Sequence, residues 1–235
     1  MTIASATETS ELDLGGIPAV PEGKVDGSLL AELPTDVPSA PWMSTIDAVL
    51  WWHRSTDDAH RALPHGLTAR PWPPLTVGGL ISYRDGPVGP YGEIFGAPAV
   101  VRGGLMLGHV PFIAVDSEAS MAGGRRNWAL PKVMAGFGGD PGLPGRVTAS
   151  ADGWEITVAA AARRRRLPAW VRLSFAQVRP DGQVETFTMT VRGQARVGSV
   201  RIGHGRPSSL ESWLRPGDHP AIFLSGRQTV SAPRQ

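Results

Sequence analysis

Glycine and proline occur throughout the chain, 29 and 22 times in 235 residues, and they separate short apolar segments. Both residues favour turns, glycine because it tolerates positive φ angles and proline because it fixes φ and lacks a backbone donor. Many turns between short elements are typical of β-rich folds. We therefore predict more strand than helix, in a chain long enough for one large domain or two small ones.

The clearest local pattern is a predicted β-hairpin at residues 170–191. Residues 170–178 and 184–191 are rich in apolar, β-branched and aromatic side chains. Between them lies the sequence Pro180-Asp181-Gly182, which is typical of a tight turn. The two segments are therefore expected to pair as neighbouring strands.

Other segments extend the β pattern toward the N-terminus. Apolar side chains alternate at residues 45–52, and apolar segments with repeated glycines occupy 75–83 and 99–115. These patterns predict strands. Residues 55–58 offer N-cap side chains and predict a short helix that ends before Pro64.

The domain organisation follows from composition. Residues 1–38 mix Ser, Thr, Glu, Pro and Gly with scattered aliphatics, which predicts a flexible N-terminal arm that packs, if anywhere, on a neighbouring subunit. The remainder shows no repeat of fixed period and no interior linker. We predict a single domain at 39–235 of the α+β class, mainly β.

Several classes of site are disfavoured. The chain has no cysteine, which removes disulfides, thiolate nucleophiles and cysteine-based metal sites. Its six histidines show no pair at i, i+4, so we expect no metal centre. No dinucleotide fingerprint, phosphate-binding loop or G-x-S-x-G motif occurs, and we expect no cofactor.

Charge and hydropathy restrict partners and location. The formal net charge is only +2, which gives little attraction for nucleic acid. Residues 163–166 are four consecutive arginines that could touch phosphate, but such a run is more often a solvated loop. The N-terminus lacks the pattern of a secretion signal, and no apolar stretch approaches the ~20 residues of a membrane span. We expect a cytoplasmic protein that binds neither nucleic acid nor membrane.

Lys132 is the most distinctive candidate for chemistry. The chain has two lysines, Lys24 and Lys132, whereas the other 21 of its 23 basic residues are arginines. Lys132 lies in the apolar stretch 128–135, where burial would favour the neutral amine that a nucleophilic lysine needs. Arginine could not replace it, because a guanidinium forms no imine. The alternative is a surface lysine whose stem covers apolar neighbours while its ammonium group reaches water.

Glu93 is the second candidate. It follows a turn sequence, Gly89-Pro90-Tyr91-Gly92, and precedes an apolar segment. A carboxylate in this position could transfer protons during catalysis. The alternative is an exposed turn residue without a catalytic role.

Three short motifs together resemble the acetoacetate decarboxylase superfamily. They are Gly89-Pro90-Tyr91-Gly92-Glu93, then Gly124-Arg125, then Pro131-Lys132 at a step of seven residues from Arg125. Their order and spacing match those of the family. The resemblance extends from about residue 46 to about residue 230, which is nearly all of the chain except the arm.

The resemblance implies both fold and chemistry. The fold is a curved antiparallel sheet closed like a barrel around a pocket, with a few peripheral helices. Lys132 would form a Schiff base with a small keto acid, Glu93 would line the same pocket, and Tyr91 and Trp128 would contact the substrate. Acetoacetate decarboxylase is itself the standard example of a lysine activated by desolvation or by a nearby cation. Related enzymes are homo-oligomers, and we expect the same here.

The chain departs from the decarboxylase pattern at three positions. The decarboxylases have a second lysine directly after the first, where this chain has Val133. A second glutamate of the family aligns with Gly78, and an upstream arginine aligns with Ile46. The change at Val133 removes the cation that is expected to help keep the nucleophile neutral.

Arg125 and Arg126 could compensate in a different way. Two guanidiniums near Lys132 along the chain could bind a substrate carboxylate bidentately. A carboxylate held in this way is poorly suited to leave as carbon dioxide, so the sequence slightly favours aldol or dehydration chemistry over decarboxylation. A non-catalytic small-molecule-binding protein of the same fold is the alternative, because fold does not fix function.

Overall fold

One long curved sheet dominates the computed structural model, which describes residues 13–69 and 74–235. Thirteen strands of this part of the chain form the sheet: β1 (Trp42–Arg54), β2 (Thr68–Ala69), β3 (Leu75–Tyr83), β4 (Tyr91–Arg102), β5 (Leu105–Gly108), β6 (Phe112–Val115), β7 (Lys132–Met134), β8 (Gly136–Gly138), β9 (Gly145–Ala151), β10 (Trp154–Ala162), β11 (Leu167–Val178), β12 (Val184–His204) and β13 (Gly217–Val230). The helices are α1 (Gly27–Glu32), α2 (Asp57–Arg61) and α3 (Glu118–Trp128), with 3₁₀ turns at Pro21–Gly23 and Ser209–Ser212. The predicted mainly-β class is confirmed.

The sheet closes on itself. Its strands follow the order β11, β5, β4, β3, β1, β13 and β12, and β12 also pairs with β11. Every contact in this ring is antiparallel except one parallel contact between Phe175 of β11 and Gly108 of β5. Strands β10, β9 and β8 continue from the other half of β12. The result confirms the barrel-like sheet implied by the family resemblance, with an interior sealed by hydrogen-bonded strands.

A pair of glycines allows the two longest neighbouring strands to cross closely. Gly193 of β12 and Gly226 of β13 face each other in register. A Cβ atom on Gly193 would lie 2.0 Å from the Ser225 carbonyl oxygen, and one on Gly226 would lie 2.2 Å from that of Arg192. Only glycine permits this approach, so these residues let β12 and β13 bend around the barrel.

Side chains alternate between the barrel interior and an outer core. On β4, Phe95 belongs to the interior cluster, whereas its neighbour Ile94 packs with the outer cluster. On β6, Ile113 faces the interior and Phe112 the outer core. This period of two is the normal consequence of the pleat, and it decides which residues of each strand can reach an interior site.

The predicted strands and the hairpin are present. Residues 75–83 form β3, and the predicted strand region 99–115 contains the end of β4 together with β5 and β6. In the hairpin, Val178 pairs with Val184, and the turn is closed by hydrogen bonds from Arg179 N to Gln183 O (2.8 Å) and from Gly182 N to Arg179 O (2.9 Å).

Helices α2 and α3 show two different outcomes. The predicted short helix is α2, whose N-cap Thr56 accepts a hydrogen bond from Ala59 N. Helix α3 was not predicted, because Gly123 and Gly124 lower its intrinsic helix propensity. It is largely buried against the sheet instead of peripheral. Within the described ranges, no helix has the length and apolar character needed to cross a membrane.

The N-terminal segment, defined here as residues 13–38, lies against the domain of its own chain. Val20 and Leu33 are buried, and Val20 N donates to Pro111 O (3.1 Å). Glu22 accepts hydrogen bonds from the backbone and the hydroxyl of Ser209. Composition predicts a flexible arm, whereas residues 13–38 contact the domain of their own chain. Residues 1–12, the rest of that prediction, lie outside the described residues.

Candidate active site

Lys132 is placed in the barrel interior by a helix-to-strand turn. Helix α3 ends at Trp128 and is capped by Ala129, whose φ of 50° is left-handed and whose backbone N–H bonds back to the last turn of the helix. Three residues after Ala129 the chain enters β7, where Lys132 lies opposite Ile113 of β6. The side chain of Lys132 is only 3% exposed. The surface-lysine alternative therefore does not describe this residue.

A chain of hydrogen bonds surrounds the lysine amine. Lys132 Nζ donates to Glu93 Oε2 (2.7 Å) and to Ser120 Oγ (2.9 Å). The other oxygen of Glu93, Oε1, accepts a hydrogen bond from Tyr83 OH (3.2 Å). Nζ also lies 5.1 Å from the centre of the Tyr91 ring. A buried charge is tolerated only when it is paired and hydrogen-bonded, and this arrangement meets that condition for both members of the pair.

Glycines on α3 make room for the lysine. A Cβ atom on Gly124 would lie 2.5 Å from Lys132 Cδ and 2.6 Å from Cε. One on Gly123 would lie 2.4 Å from the Trp42 ring. The glycine of the Gly124-Arg125 motif thus has a physical reason, because the aliphatic stem of the lysine lies directly on the helix backbone.

Tyr83 and Tyr91 form a neutral wall beside the pair. Their rings are stacked with centres 4.1 Å apart. Burial, and next the charge of Glu93, raises the pKa of both phenols well above the usual value for tyrosine. Both hydroxyls therefore stay protonated at neutral pH, and the Tyr83 hydroxyl can keep donating to Glu93.

A cavity opens next to the lysine in the barrel interior. The space open to water molecules is about 60 Å³, which corresponds to about four to six waters. Most of the lining is apolar: Trp42, Phe95, Val110, Ile113, Trp128, Leu130, Phe175, Phe187, Met189 and Val230. The polar lining residues are Ser44, Tyr83, Tyr91, Glu93, Lys132 and Gln228. Four of the predicted site residues, Lys132, Glu93, Tyr91 and Trp128, are thus brought together.

Arg125 and Arg126, the predicted carboxylate-binding residues, are not among the lining residues. Arg125 is 1% exposed, and its guanidinium donates to the carbonyl oxygens of Lys132 (2.8 Å), Leu14 (2.7 Å) and Gly23 (3.2 Å). Burial lowers the pKa of Arg125 to about 10, which leaves it charged at neutral pH. Arg126 donates to carbonyl oxygens at residues 34 and 35. Both guanidiniums hold the N-terminal segment on α3, so the structure does not support their substrate-binding role.

Two of the positions at which the chain departs from the family pattern lie in the outer core of the structure. Val133 follows Lys132 on a strand and therefore points to the opposite face, where it packs in the outer core. Gly78 faces the Trp51 ring, 2.2 Å from an ideal Cβ, and also lies in the outer layer. The interior position beside it is Gly79, whose missing side chain is replaced by the Phe95 ring at 2.1 Å. The interior position at Gly79 is therefore filled by an aromatic ring.

Three site residues were missed by sequence reasoning. Ser120 lies one turn into the unpredicted α3, Tyr83 ends β3, and Gln228 comes from the last strand. Tyr83 could have been found from the register of two neighbouring strands, because β3 and β4 pair Tyr83 with Tyr91 and Ile81 with Glu93. For Gln228, which lies opposite Ser44 on β1, the sequence carries no local signal.

The fold and the site define a class of protein: a closed β-domain with a buried lysine–carboxylate pair at an apolar cavity. The family model for acetoacetate decarboxylase (ADC) matches residues 34–200. The chain therefore belongs to the acetoacetate decarboxylase family. A comparison with curated protein sequences finds no match.

Solved structures show the same fold at low sequence identity. An enduracididine biosynthesis enzyme, MppR, complexed with pyruvate, aligns with a TM-score of 0.63 and 18% identity over 84% of this chain and 91% of that chain. An acetoacetate decarboxylase aligns with a TM-score of 0.60 and 16% identity over 89% and 99%. Acetoacetate decarboxylase from Legionella pneumophila subsp. pneumophila str. Philadelphia 1 gives 0.59 and 15% over 88% and 94%.

Proposed function

We propose that the protein is a Schiff-base lyase in which the Lys132 amine forms an imine with the carbonyl group of a small substrate. The observation that carries this proposal is the buried contact of Lys132 Nζ with Glu93 Oε2 at 2.7 Å beside a largely apolar cavity. An amine shielded from water, with a base in contact, is suited to nucleophilic catalysis. Membership of a family that includes decarboxylases supports it.

The first half of the reaction uses one proton held between Lys132 and Glu93. Transfer of that proton from Nζ to Oε2 gives a neutral amine and a carboxylic acid. The amine attacks the carbonyl carbon to give a carbinolamine. The acid of Glu93 then protonates the carbinolamine hydroxyl, which leaves as water, and the nitrogen lone pair forms the C=N bond of an iminium ion. Glu93 returns to the carboxylate form.

In the second half, the iminium ion accepts an electron pair from the adjacent C–C bond. That bond breaks and leaves an enamine on Lys132. The fragment released is carbon dioxide from a β-keto acid, or an aldehyde from a β-hydroxy carbonyl compound whose hydroxyl proton passes to Glu93. Protonation of the enamine carbon and hydrolysis of the iminium ion by water then restore the amine. No added oxidant, reductant or cofactor is required.

The site geometry removes the sequence-based reason for preferring one of these two chemistries. The sequence-based preference for aldol or dehydration chemistry depends on a guanidinium that holds the substrate carboxylate. Arg125 and Arg126 instead bind backbone carbonyl oxygens of other segments. A carboxylate desolvated in an apolar cavity loses stabilisation that carbon dioxide does not need. Decarboxylation and retro-aldol cleavage are therefore equally compatible with the proposed role of Lys132.

Reductive trapping tests the proposal directly. The protein is incubated with acetoacetate and, separately, pyruvate in cyanoborohydride, and the adduct is located by intact mass and peptide mapping. We expect a reduced adduct on Lys132 and none in Lys132→Arg, which keeps the charge but cannot form an imine. Lys24→Arg is the matched control, because Lys24 is the other lysine and is exposed. It should trap like the parent protein.

A non-catalytic binding protein is the alternative, and one observation favours it. The amine is already bound to Glu93 and Ser120, an arrangement that also stabilises a permanently charged ammonium group. If no carbonyl compound labels Lys132 while such compounds still occupy the cavity, the binding role replaces the enzymatic one.

A further inference from the structure

We infer that the site acts on a small carbonyl compound with apolar substituents, and that the carbonyl product bound to Lys132 carries no carboxylate. This inference rests on the proposed imine chemistry and names its substrate class. It differs from the small keto acid, with a carboxylate held by Arg125 and Arg126, that the sequence alone suggests. Three features of the described residues carry it: the charges of the cavity, its aromatic wall and one unpartnered amide.

The first feature is charge. Lys132 and Glu93 are the charged residues that line the cavity in the described part of the chain, and they neutralise each other at 2.7 Å. Once Lys132 becomes an imine, Glu93 faces whatever the substrate carries. A retained carboxylate would then lie near a like charge in an apolar environment without a guanidinium, which is strongly unfavourable. An alkyl group in the same place would be desolvated at a gain.

The second feature is the aromatic wall. Trp42 and Trp128 pack edge to face with ring centres 5.0 Å apart, and Phe175 stacks on Phe187 at 5.3 Å. Both indole N–H groups are already used, since Trp42 Nε1 donates to Pro38 O and Trp128 Nε1 donates to Ser231 O. These tryptophans therefore present carbon surface to the cavity and no free donor for a carboxylate.

The third feature is Gln228, which lines the cavity and is 2% exposed. Its side-chain amide lies beside the Tyr83 hydroxyl, yet Nε2 makes no hydrogen bond of normal geometry with any described residue. A buried donor without a partner is costly unless a ligand supplies the acceptor. A neutral amide suits a neutral oxygen, so Gln228 is placed to bind the substrate carbonyl oxygen as Lys132 attacks.

The size of the cavity limits the substrate. A space of about 60 Å³ corresponds to about four to six waters, which restricts the test to small carbonyl compounds. Pyruvate and 3-methyl-2-butanone have the same number of non-hydrogen atoms and differ in a carboxylate against an isopropyl group. Acetoacetate and 4-methyl-2-pentanone form a second pair of this kind.

These two pairs provide the test. Half-saturating concentrations for labelling of Lys132 are measured with cyanoborohydride for all four compounds. Each is multiplied by the relative reactivity of that compound toward Nα-acetyl-lysine, which removes intrinsic electrophilicity. We expect each ketone to saturate at a concentration at least about tenfold lower than its matching acid. An acid that saturates at the same or a lower concentration would overturn the inference.

Two additional measurements separate this inference from the proposed function. Ligand-observed NMR without reductant measures cavity occupancy whether or not an imine forms. The absence of any adduct would therefore count against the imine, while acids displacing ketones in the NMR experiment would count against the apolar substrate. Gln228→Leu should raise the half-saturating concentration of both ketones several-fold without lowering the melting temperature. Unchanged labelling in that variant would remove Gln228 from the proposal.

Discussion

Glu93 has both carboxylate oxygens engaged before any substrate enters, one by Lys132 Nζ and one by Tyr83 OH. In the proposed mechanism, the first contact lets Glu93 take the proton that must leave the amine. The second contact comes from a phenol whose pKa is raised by burial, so this donor stays protonated while Glu93 gains and loses its proton. Glu93 and Lys132 would thus exchange a proton while the Tyr83 hydroxyl keeps its own.

Replacing Glu93 by glutamine should separate imine formation from proton transfer. In D₂O, the enamine formed on Lys132 exchanges the α-protons of a bound ketone, and NMR measures that rate. We expect Glu93→Gln to lower the exchange rate by about 10²-fold or more, because the base is lost. Trapping on Lys132 by cyanoborohydride should persist at a lower rate.

The exposed Glu32 provides the control for this experiment. Glu32→Gln should leave both exchange and trapping unchanged. If Glu93→Gln exchanged α-protons as fast as the parent protein, Glu93 would only position the lysine, and another group would have to carry the proton.

At the scale of elements, α3 and β7 act as one unit that positions the amine. The Arg125 side chain donates from the helix to the carbonyl oxygen of Lys132, while the lysine stem crosses Gly124. Sequence motifs predicted Lys132 and Glu93 because these positions lie in short, recognisable segments. These motifs could not predict that the Arg125 side chain points away from the cavity. Its direction depends on α3, and this helix was not predictable because it contains two glycines.

The cavity residues that the sequence could not predict come from strands that are paired over long distances in the chain. The hairpin of β11 and β12 was predictable because its turn and strands are adjacent in sequence. Gln228 and Ser44 meet only because β13 pairs with β1, and this pairing joins segments nearly the whole chain apart. The alternation within each strand was readable, but which faces enclose the cavity depends on closure of the sheet.

Gly124→Ala tests the α3–β7 unit. The added methyl group would lie 2.5 Å from Lys132 Cδ, so the lysine must move away from Glu93. Overpacking of this kind costs about 1–3 kcal/mol of unfolding free energy, partly offset by the better helix propensity of alanine. We expect trapping on Lys132 to fall by more than tenfold while urea denaturation still shows a folded protein.

Gly203→Ala is the matched control, because a Cβ atom at Gly203 meets no other atom within 4 Å. It should leave trapping unchanged. Normal labelling in Gly124→Ala would show that the lysine reaches its reactive position without the space that glycine leaves.

At the scale of the whole molecule, the barrel depends on a short joint between β5 and β11. The parallel contact of Gly108 with Phe175 is supported by His109, whose Nδ1 donates to Ala176 O (3.0 Å), and by Gln177, whose amide bonds the backbone of Val110. His109 is 1% exposed, and its Nε2 has no hydrogen-bond partner among the described residues. Protonation of this ring would bury an unpaired charge at the contact between β5 and β11 that closes the sheet around the cavity.

This joint should make the fold sensitive to mild acid. Burial lowers the pKa of His109 from 6.5 to about 4. Because the folded state binds this proton less readily than the unfolded state, the stabilisation is complete above pH 6.5 and is lost as the pH falls toward 4. A difference of this size corresponds to about 3 kcal/mol of unfolding free energy. Urea denaturation at pH 7 and pH 4 measures the loss, to which titrating carboxylates also contribute.

His109→Gln isolates the contribution of the histidine. Glutamine can still donate to Ala176 O but does not titrate, so the loss of unfolding free energy between pH 7 and pH 4 should shrink by about 3 kcal/mol relative to the parent protein. The exposed His65 serves as the control, since His65→Gln should keep the parent pH dependence. An equal loss in both variants would mean that the joint does not sense protons. A smaller loss in His109→Gln alone would assign that part of the acid sensitivity to the joint that closes the barrel around the Lys132 cavity.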